Sequence, residues 1–278
     1  MDIIKEIKNE RKYTFHSHTQ FCDGHATMEE MAIAAISEEF RFYGFSPHSP
    51  IPIPSPCNMK SQDVEEYLNE VKHIQIKYAN RGCQFYAGME IDYLGKEWGP
   101  ALPYFNEIGL DFSIGSVHFI PSQSGDYIDI DGSFDNFKKK MLNNFRRDID
   151  YVVDTFFLQS IDMINAGGFD ILGHFDKVGQ NASYYAPGIE EGTHYRSLMD
   201  EIVDLIIQKK TLIEINTKAR QEHGRFFPNE KYWKKLVDSG VPIIVNSDAH
   251  RPDRISASRA EAFELLDNMK IQKASKVL

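Results

Sequence analysis

The stretch Phe15-His16-Ser17-His18-Thr19-Gln20-Phe21-Cys22-Asp23-Gly24-His25 organises the reading of this chain. Its core is a His-X-His pair, with a carboxylate and a third histidine close behind. Residues two apart on an extended strand point to the same side. A strand over Tyr13–His18 therefore aims the imidazoles of His16 and His18 at one point, as a chelated metal requires. The pair alone decides little: with 10 histidines in 278 residues, chance supplies about 0.36 such pairs. The weight lies in where the other histidines fall.

Working outward, short β-branched or aromatic runs are each followed by a helix-like segment. That alternation argues for a parallel sheet with crossover helices. Strands are expected over Tyr13–His18, Phe42–Ser46, Gln84–Met89, Phe112–Val117, Phe169–Gly173, Thr211–Ile215 and Pro242–Asn246. Thr27 and Glu30 form a capping-box pattern that opens a helix over Met28–Glu39. Further helices are expected over Asp63–Ala79, as two pieces within Ser133–Ala166, and over Tyr195–Lys210, Glu230–Ser239 and Ser258–Lys270. Pro47 to Pro56 holds five prolines and must be irregular, and Ile120–Gly132 reads as an insertion. The sum is seven strand-then-helix units whose strands begin apolar and end in a ligand-type residue. An α/β barrel brings such strand ends to one rim, where barrel active sites sit.

Composition sets the outer bounds. No Pro/Gly/Ser-rich linker, repeat or low-complexity tract divides the chain, so residues 1–278 read as one domain. The N-terminus mixes charge with aliphatics and does not read as a signal peptide. No run approaches the roughly 18 apolar residues of a spanning helix, so no membrane partner is expected. Cys22, Cys57 and Cys83 are odd in number and unpatterned, which points away from a disulfide framework and towards the cytoplasm. A net charge of −10 argues against a nucleic-acid partner held by basic patches.

Six of the 10 histidines, namely His16, His18, His48, His118, His174 and His250, fall at the expected strand ends, joined by Glu90 and Asp248. So many N and O donors exceed what one tetrahedral zinc needs. They imply two or three divalent ions, with Glu90 suited to bridging. Without a thiolate set, zinc, manganese and iron are all compatible with the ligands. His73 and His194 read as surface or packed residues, His25 and His223 lie in loops beside the proposed site, and Cys22 reads as a small buried residue.

His16-Ser17-His18 with Asp23-Gly24, Pro47-His48, Gly88-Met89-Glu90, Gly115-Ser116-Val117-His118, Gly173-His174-Phe175-Asp176 and Ser247-Asp248-Ala249-His250 together resemble the polymerase and histidinol phosphatase (PHP) family. The match runs from residue 13 to 250. The resemblance implies a distorted (β/α)7 barrel with a trinuclear metal site. It puts His16, His18, Glu90 and Asp248 on one metal. It puts bridging Glu90, His118 and His174 on a second, and Asp23, His48 and His250 on the third. Many family members carry a histidine at the loop position of the third metal; here Asp23 and His25 both compete for it, with Asp23 favoured. The Pro-rich loop after His48, the helical insertion, and Glu214-Ile215-Asn216-Thr217 followed by Arg220 resemble the stand-alone histidinol-phosphate phosphatases of histidine biosynthesis. The family's nucleases and other phosphodiesterases are the alternative.

The resemblance implies a small phosphate monoester as substrate. Such hydrolysis needs acceleration approaching ~10²¹-fold in the extreme, whereas each positioned acid or base gives about 10²–10⁴-fold. Metals must supply much of the rest. The expected chemistry is in-line attack by a hydroxide held between the two Glu90-bridged ions, with Glu90, Asp248 and Asp23 as the carboxylates that carry it. Arg220 or Arg225 would neutralise the phosphoryl oxygens, and Asp23, His25 or His223 would protonate the leaving oxygen.

Overall fold

The structure, a computed structural model, describes residues 2–275. Among the described residues are nine strands: β1 (Tyr13–Thr14), β2 (Phe42–Phe45), β3 (Gln84–Asp92), β4 (Phe112–Ser116), β5 (Phe119–Pro121), β6 (Tyr127–Asp129), β7 (Ile171–Leu172), β8 (Ile213–Asn216) and β9 (Ile243–Asn246). Seven form one sheet in the order β1-β2-β3-β4-β7-β8-β9, and every neighbouring pair in it is parallel. Strands β5 and β6 make a separate antiparallel hairpin out of the insertion after β4.

The sheet curls until its two edges meet, and the closure is made largely by side chains. β1 pairs with β2 over only two residues, far fewer than expected for Tyr13–His18. Beyond Thr14, polar side chains take over the pairing. The Phe15 N–H donates to Asn246 Oδ1 at 2.9 Å and the Ser17 N–H to Ser46 Oγ at 3.0 Å. The His18 N–H then reaches the Ala249 carbonyl at 2.8 Å, beside a parallel bridge between Ser17 and Ala249. The result is the expected seven-stranded (β/α) barrel, nearly closed.

Its packing follows from alternation along the strands. On β3, Glu90 and Asp92 face the site described below, so Gly88 faces the same interior. Phe15, Phe112, Ile114, Ile171 and Ile244 fill the barrel below that level as one buried cluster. Met89 and Ile91 point the other way, into a layer built with Met28–Ser37 and Val64–Lys77. Ile149–Ala166 and Thr193–Lys209 cover the β7 side, and Trp233–Ser239 with Arg259–Ser275 cover β9.

The capping box at Thr27 and Glu30 forms as its sequence implies. The long stretch after the insertion splits at residues 144–148, where Arg146 and Arg147 adopt left-handed backbone. Among the described residues no helix is long and apolar enough to cross a membrane.

Phe112 dictates the two glycines opposite it. A Cβ on Gly44 or Gly88 would lie 2.6 or 2.3 Å from the Phe112 ring, which is fully enclosed and has nowhere to go. We therefore expect Gly88→Ala to cost about 1–3 kcal/mol, as overpacking does, read as a lower urea midpoint at unchanged slope. An unchanged midpoint would show that the barrel interior is not packed in this way.

Candidate metal centre

Each donor stands at the C-terminal end of a barrel strand or in the loop just after it. Glu90, near the end of β3, is the hub. Its Oε2 lies 3.2 Å from His16 Nε2, 3.5 Å from His18 Nε2 and 3.1 Å from His48 Nδ1. Its Oε1 lies 2.8 Å from His174 Nε2 and 3.4 Å from His118 Nε2. Asp248, in left-handed backbone just past β9, puts Oδ1 3.1 Å from His18 Nε2 and 3.8 Å from His16 Nε2. Asp23 Oδ1 comes within 3.3 Å of His250 Nε2 and 3.7 Å of His48 Nε2. The structure thus gathers all nine expected donors, and among the described groups able to hold an ion Asp23 is present while His25 is not. His25 is exposed, and its backbone N–H donates to the His250 carbonyl at 2.8 Å.

The charges are poised for cations. Burial opposes ionisation of Glu90, yet His16, His118 and His48 hold its carboxyl well below the usual range. Burial likewise opposes a charge on Asp248, which Lys218 and His16 hold down. His118 resists charge by burial, but Glu90 and Asp92 push it up to about 9. His18 goes the opposite way, well below its ordinary value, driven by burial and by His250 and His48.

The donor geometry fits resident ions. His16 Nε2, His18 Nε2, His48 Nδ1, Asp23 Oδ1 and Glu90 Oε2 are buried and make no hydrogen bond. An orphaned buried polar group costs about 1–3 kcal/mol, and four of these converge, with His16 Nε2, His18 Nε2 and His48 Nδ1 around Glu90 Oε2, so they need a common partner. Ligands on a tetrahedral zinc at ~2.05 Å stand about 3.3 Å apart, close to the spacings above. The donors divide into overlapping groups: His18 with Asp23, His48 and His250; His16 with His174 and Asp248; His16 with His18 and Glu90; His48 with Glu90 and His118.

Around the donors lies a ring of residues to which sequence reasoning gave no role at the centre. Asp92 Oδ1 takes His118 Nδ1 at 2.7 Å, while its Oδ2 accepts from Asn58 of the Pro-rich loop at 2.9 Å. Ser116 Oγ donates to Glu90 Oε1 at 2.7 Å. Glu214 takes His16 Nδ1 at 2.9 Å, and Asn216 Nδ2 donates to Asp248 Oδ2 at 3.0 Å. Lys218 Nζ is 3.4 Å from Asp248 Oδ1 and 3.3 Å from His250 Nε2. A signal was available, since Asp92 and Lys218 each stand two residues beyond a strand-end residue, Glu90 and Asn216.

The expected phosphate cations are placed elsewhere. Arg220 is held by Glu261 at 2.5 Å, by Glu230 and by the Gly224 carbonyl. Arg225 is buried between Asp176, at 2.7 Å, and Glu190. His223 bonds Tyr184 Oη at 3.0 Å, in a different depression from the mouth over the donors. That mouth is a cavity of about 200 Å³ lined by Asp23, His48, His118, His250, Lys218 and the β5–β6 hairpin. Lys218 is the one lysine or arginine in its lining.

The barrel and its donor set define a member of a known class. Residues 14–218 match the PHP domain, and the chain belongs to that family. Over 90% of this chain and 90% of its own length, a probable histidinol-phosphatase of Deinococcus radiodurans is 25% identical. A probable histidinol-phosphatase of Clostridium acetobutylicum is 20% identical over 76% of this chain and 75% of its own. The fold superposes on a candidate histidinol phosphatase of Listeria monocytogenes at a TM-score of 0.77 and 21% identity, covering 90% of this chain and 99% of that one. It also superposes on the histidinol phosphate phosphatase of Lactococcus lactis, crystallised with zinc, L-histidinol and phosphate, at a TM-score of 0.68 and 18% identity, covering 93% and 94%.

Because Glu90 lies within 3.5 Å of a donor from each of the four groups, Glu90→Ala should strip bound metal as no peripheral change could. Metal content after gel filtration in zinc-containing buffer reads this directly. Full wild-type content in the variant would remove Glu90 from the centre.

Proposed function

We propose that this protein is a metal-dependent phosphomonoesterase acting on L-histidinol phosphate, releasing L-histidinol and phosphate in histidine biosynthesis. The observation that carries the reading is the Glu90-centred donor cluster opening on a small mouth with a single lysine at its rim. The names of the curated relatives support the choice of substrate. When bound, two or three divalent ions supply Lewis-acid charge at the phosphoryl oxygens and make water acidic enough to attack near neutral pH.

The chain's own groups do the rest. The nine donors, including the carboxylates of Glu90, Asp248 and Asp23, hold the ions. Lys218, 41% exposed, is positioned to pair with a phosphoryl oxygen, the task first given to Arg220 and Arg225. Of the three candidate proton donors, Asp23 lines the mouth, while His25 and His223 do not; it would pass a solvent proton to the leaving oxygen. Phe119 and Asp129 line the same cavity and offer an apolar wall and a carboxylate to the imidazole and ammonium of the alcohol. Lys140 pairs with Asp129 at 2.8 Å and Lys177 with Asp131 at 2.6 Å. These pairs pin the hairpin over the mouth, where it limits the entry of water and of long substrates. An acidic mouth on a chain of net charge −10 disfavours the nuclease alternative.

Phosphate release from a panel of small phosphomonoesters, a phosphodiester and oligonucleotides, with added zinc or manganese, tests this. We expect L-histidinol phosphate to have the highest kcat/KM and chelation to abolish turnover. Preferred cleavage of the diesters, or no turnover at all, would overturn the reading. A hydrogen bond to a charged group is worth about 1.5–3 kcal/mol. Lys218→Met should therefore raise KM or lower kcat/KM by about 10- to 100-fold, and an unaltered kcat/KM would release Lys218 from the phosphate.

A further inference from the structure

Glu214, on β8, is fully buried, and among the described residues its ion-pair partner is a histidine alone. Its burial is offset by a complete set of donors. Oε2 takes His16 Nδ1 at 2.9 Å and Asn246 Nδ2 at 3.0 Å. Oε1 takes the backbone N–H of His174 at 3.1 Å and Asn216 Nδ2 at 3.0 Å. The same Asn216 amide also donates to Asp248 Oδ2 at 3.0 Å. One carboxylate therefore touches His16, sets the backbone from which the His174 ring projects, and reaches Asp248 through a single amide.

Those three residues are one of the donor groups, His16 with His174 and Asp248. Among the described residues, none of His18, Asp23, His48 and His250 hydrogen-bonds to Glu214. Imidazole chemistry adds direction. An acceptor at Nδ1 fixes the proton there and leaves the Nε2 lone pair free, and His16 Nε2 is the orphaned atom facing Glu90.

We propose that Glu214 is a positioning residue that orients His16, His174 and Asp248 together, and so sets the affinity of the ions those residues hold while leaving the ion held by Asp23, His48 and His250 to its own ligands. The inference rests on the metal-centre reading above. A carboxylate that merely stitched β8 to β9 would lower fold stability and weaken every ion alike.

Zinc titration of the metal-free full chain by calorimetry, with stoichiometry counted by mass spectrometry, separates the two roles. In Glu214→Gln, whose amide presents a donor as well as an acceptor, we expect one class of sites to weaken by about 10- to 100-fold and the other to keep its affinity. In Asp23→Asn the opposite class should weaken. Equal affinity of all sites in Glu214→Gln, or uniform weakening of them, would overturn the proposal. A wild-type chain that binds no zinc would instead overturn the metal centre itself. A second measurement needs no variant. In the zinc-loaded wild type, nitrogen-15 spectra should show His16 protonated at Nδ1 and metal-shifted at Nε2; the reverse tautomer contradicts the positioning role even if Glu214→Gln fails to fold.

Discussion

The structure turns on a problem of buried charge. Glu90 is all but sealed from solvent, and five imidazole rings reach within 3.5 Å of its two oxygens. Removing a carboxylate from water costs several kcal/mol, and neutral imidazoles return little of it. Protons on the rings can balance part of the charge, as the raised His118 indicates. Burial nonetheless drives His18 well below its ordinary value, and buried nitrogens and oxygens at the centre are left without a hydrogen-bond partner. Divalent cations satisfy the carboxylates and the lone pairs together. That is the physical ground for reading the cluster as a metal centre rather than a polar core.

The barrel keeps this charge where it can be used. Aromatic and aliphatic side chains fill its lower half, with Phe112 seated against two glycines, so the donors have no room to sink. Its seam is stitched by the Asn246 side chain and the Ala249 carbonyl, which bind the His16–His18 segment to the segment carrying Asp248. Closure of the barrel and assembly of the donors are thus one event. The hairpin that follows β4 lines the mouth, with Lys140 paired to Asp129 and Lys177 to Asp131 at the rim.

Much of this was legible in the chain. Seven strand-to-helix units follow from the alternation of short apolar runs with amphipathic stretches, and the donors follow from their place at the end of those runs. Other features depend on pairings across the fold. The helix Val178–Tyr185 was missed because Gly179 and Asn181 are weak helix formers; burial of Val178, Gly179, Asn181 and Ala182 holds it. Arg225 looked like a phosphate ligand because its partners, Asp176 and Glu190, are 49 and 35 residues away in the chain. Lys218 was overlooked between two more conspicuous residues, Asn216 and Arg220. The supporting carboxylates Asp92 and Glu214 were within reach of sequence logic, each being two residues from another polar strand-end residue, where alternation places both on one face.

The central claim is that cations sit between these donors, and anomalous diffraction tests it most directly. Crystals grown with zinc, with data collected on both sides of the zinc absorption edge, should show peaks about 2.0–2.2 Å from Glu90 oxygens and from His16 and His118 Nε2. A map with no peak there, and with the imidazoles bonded instead to carboxylates or to one another, would contradict it.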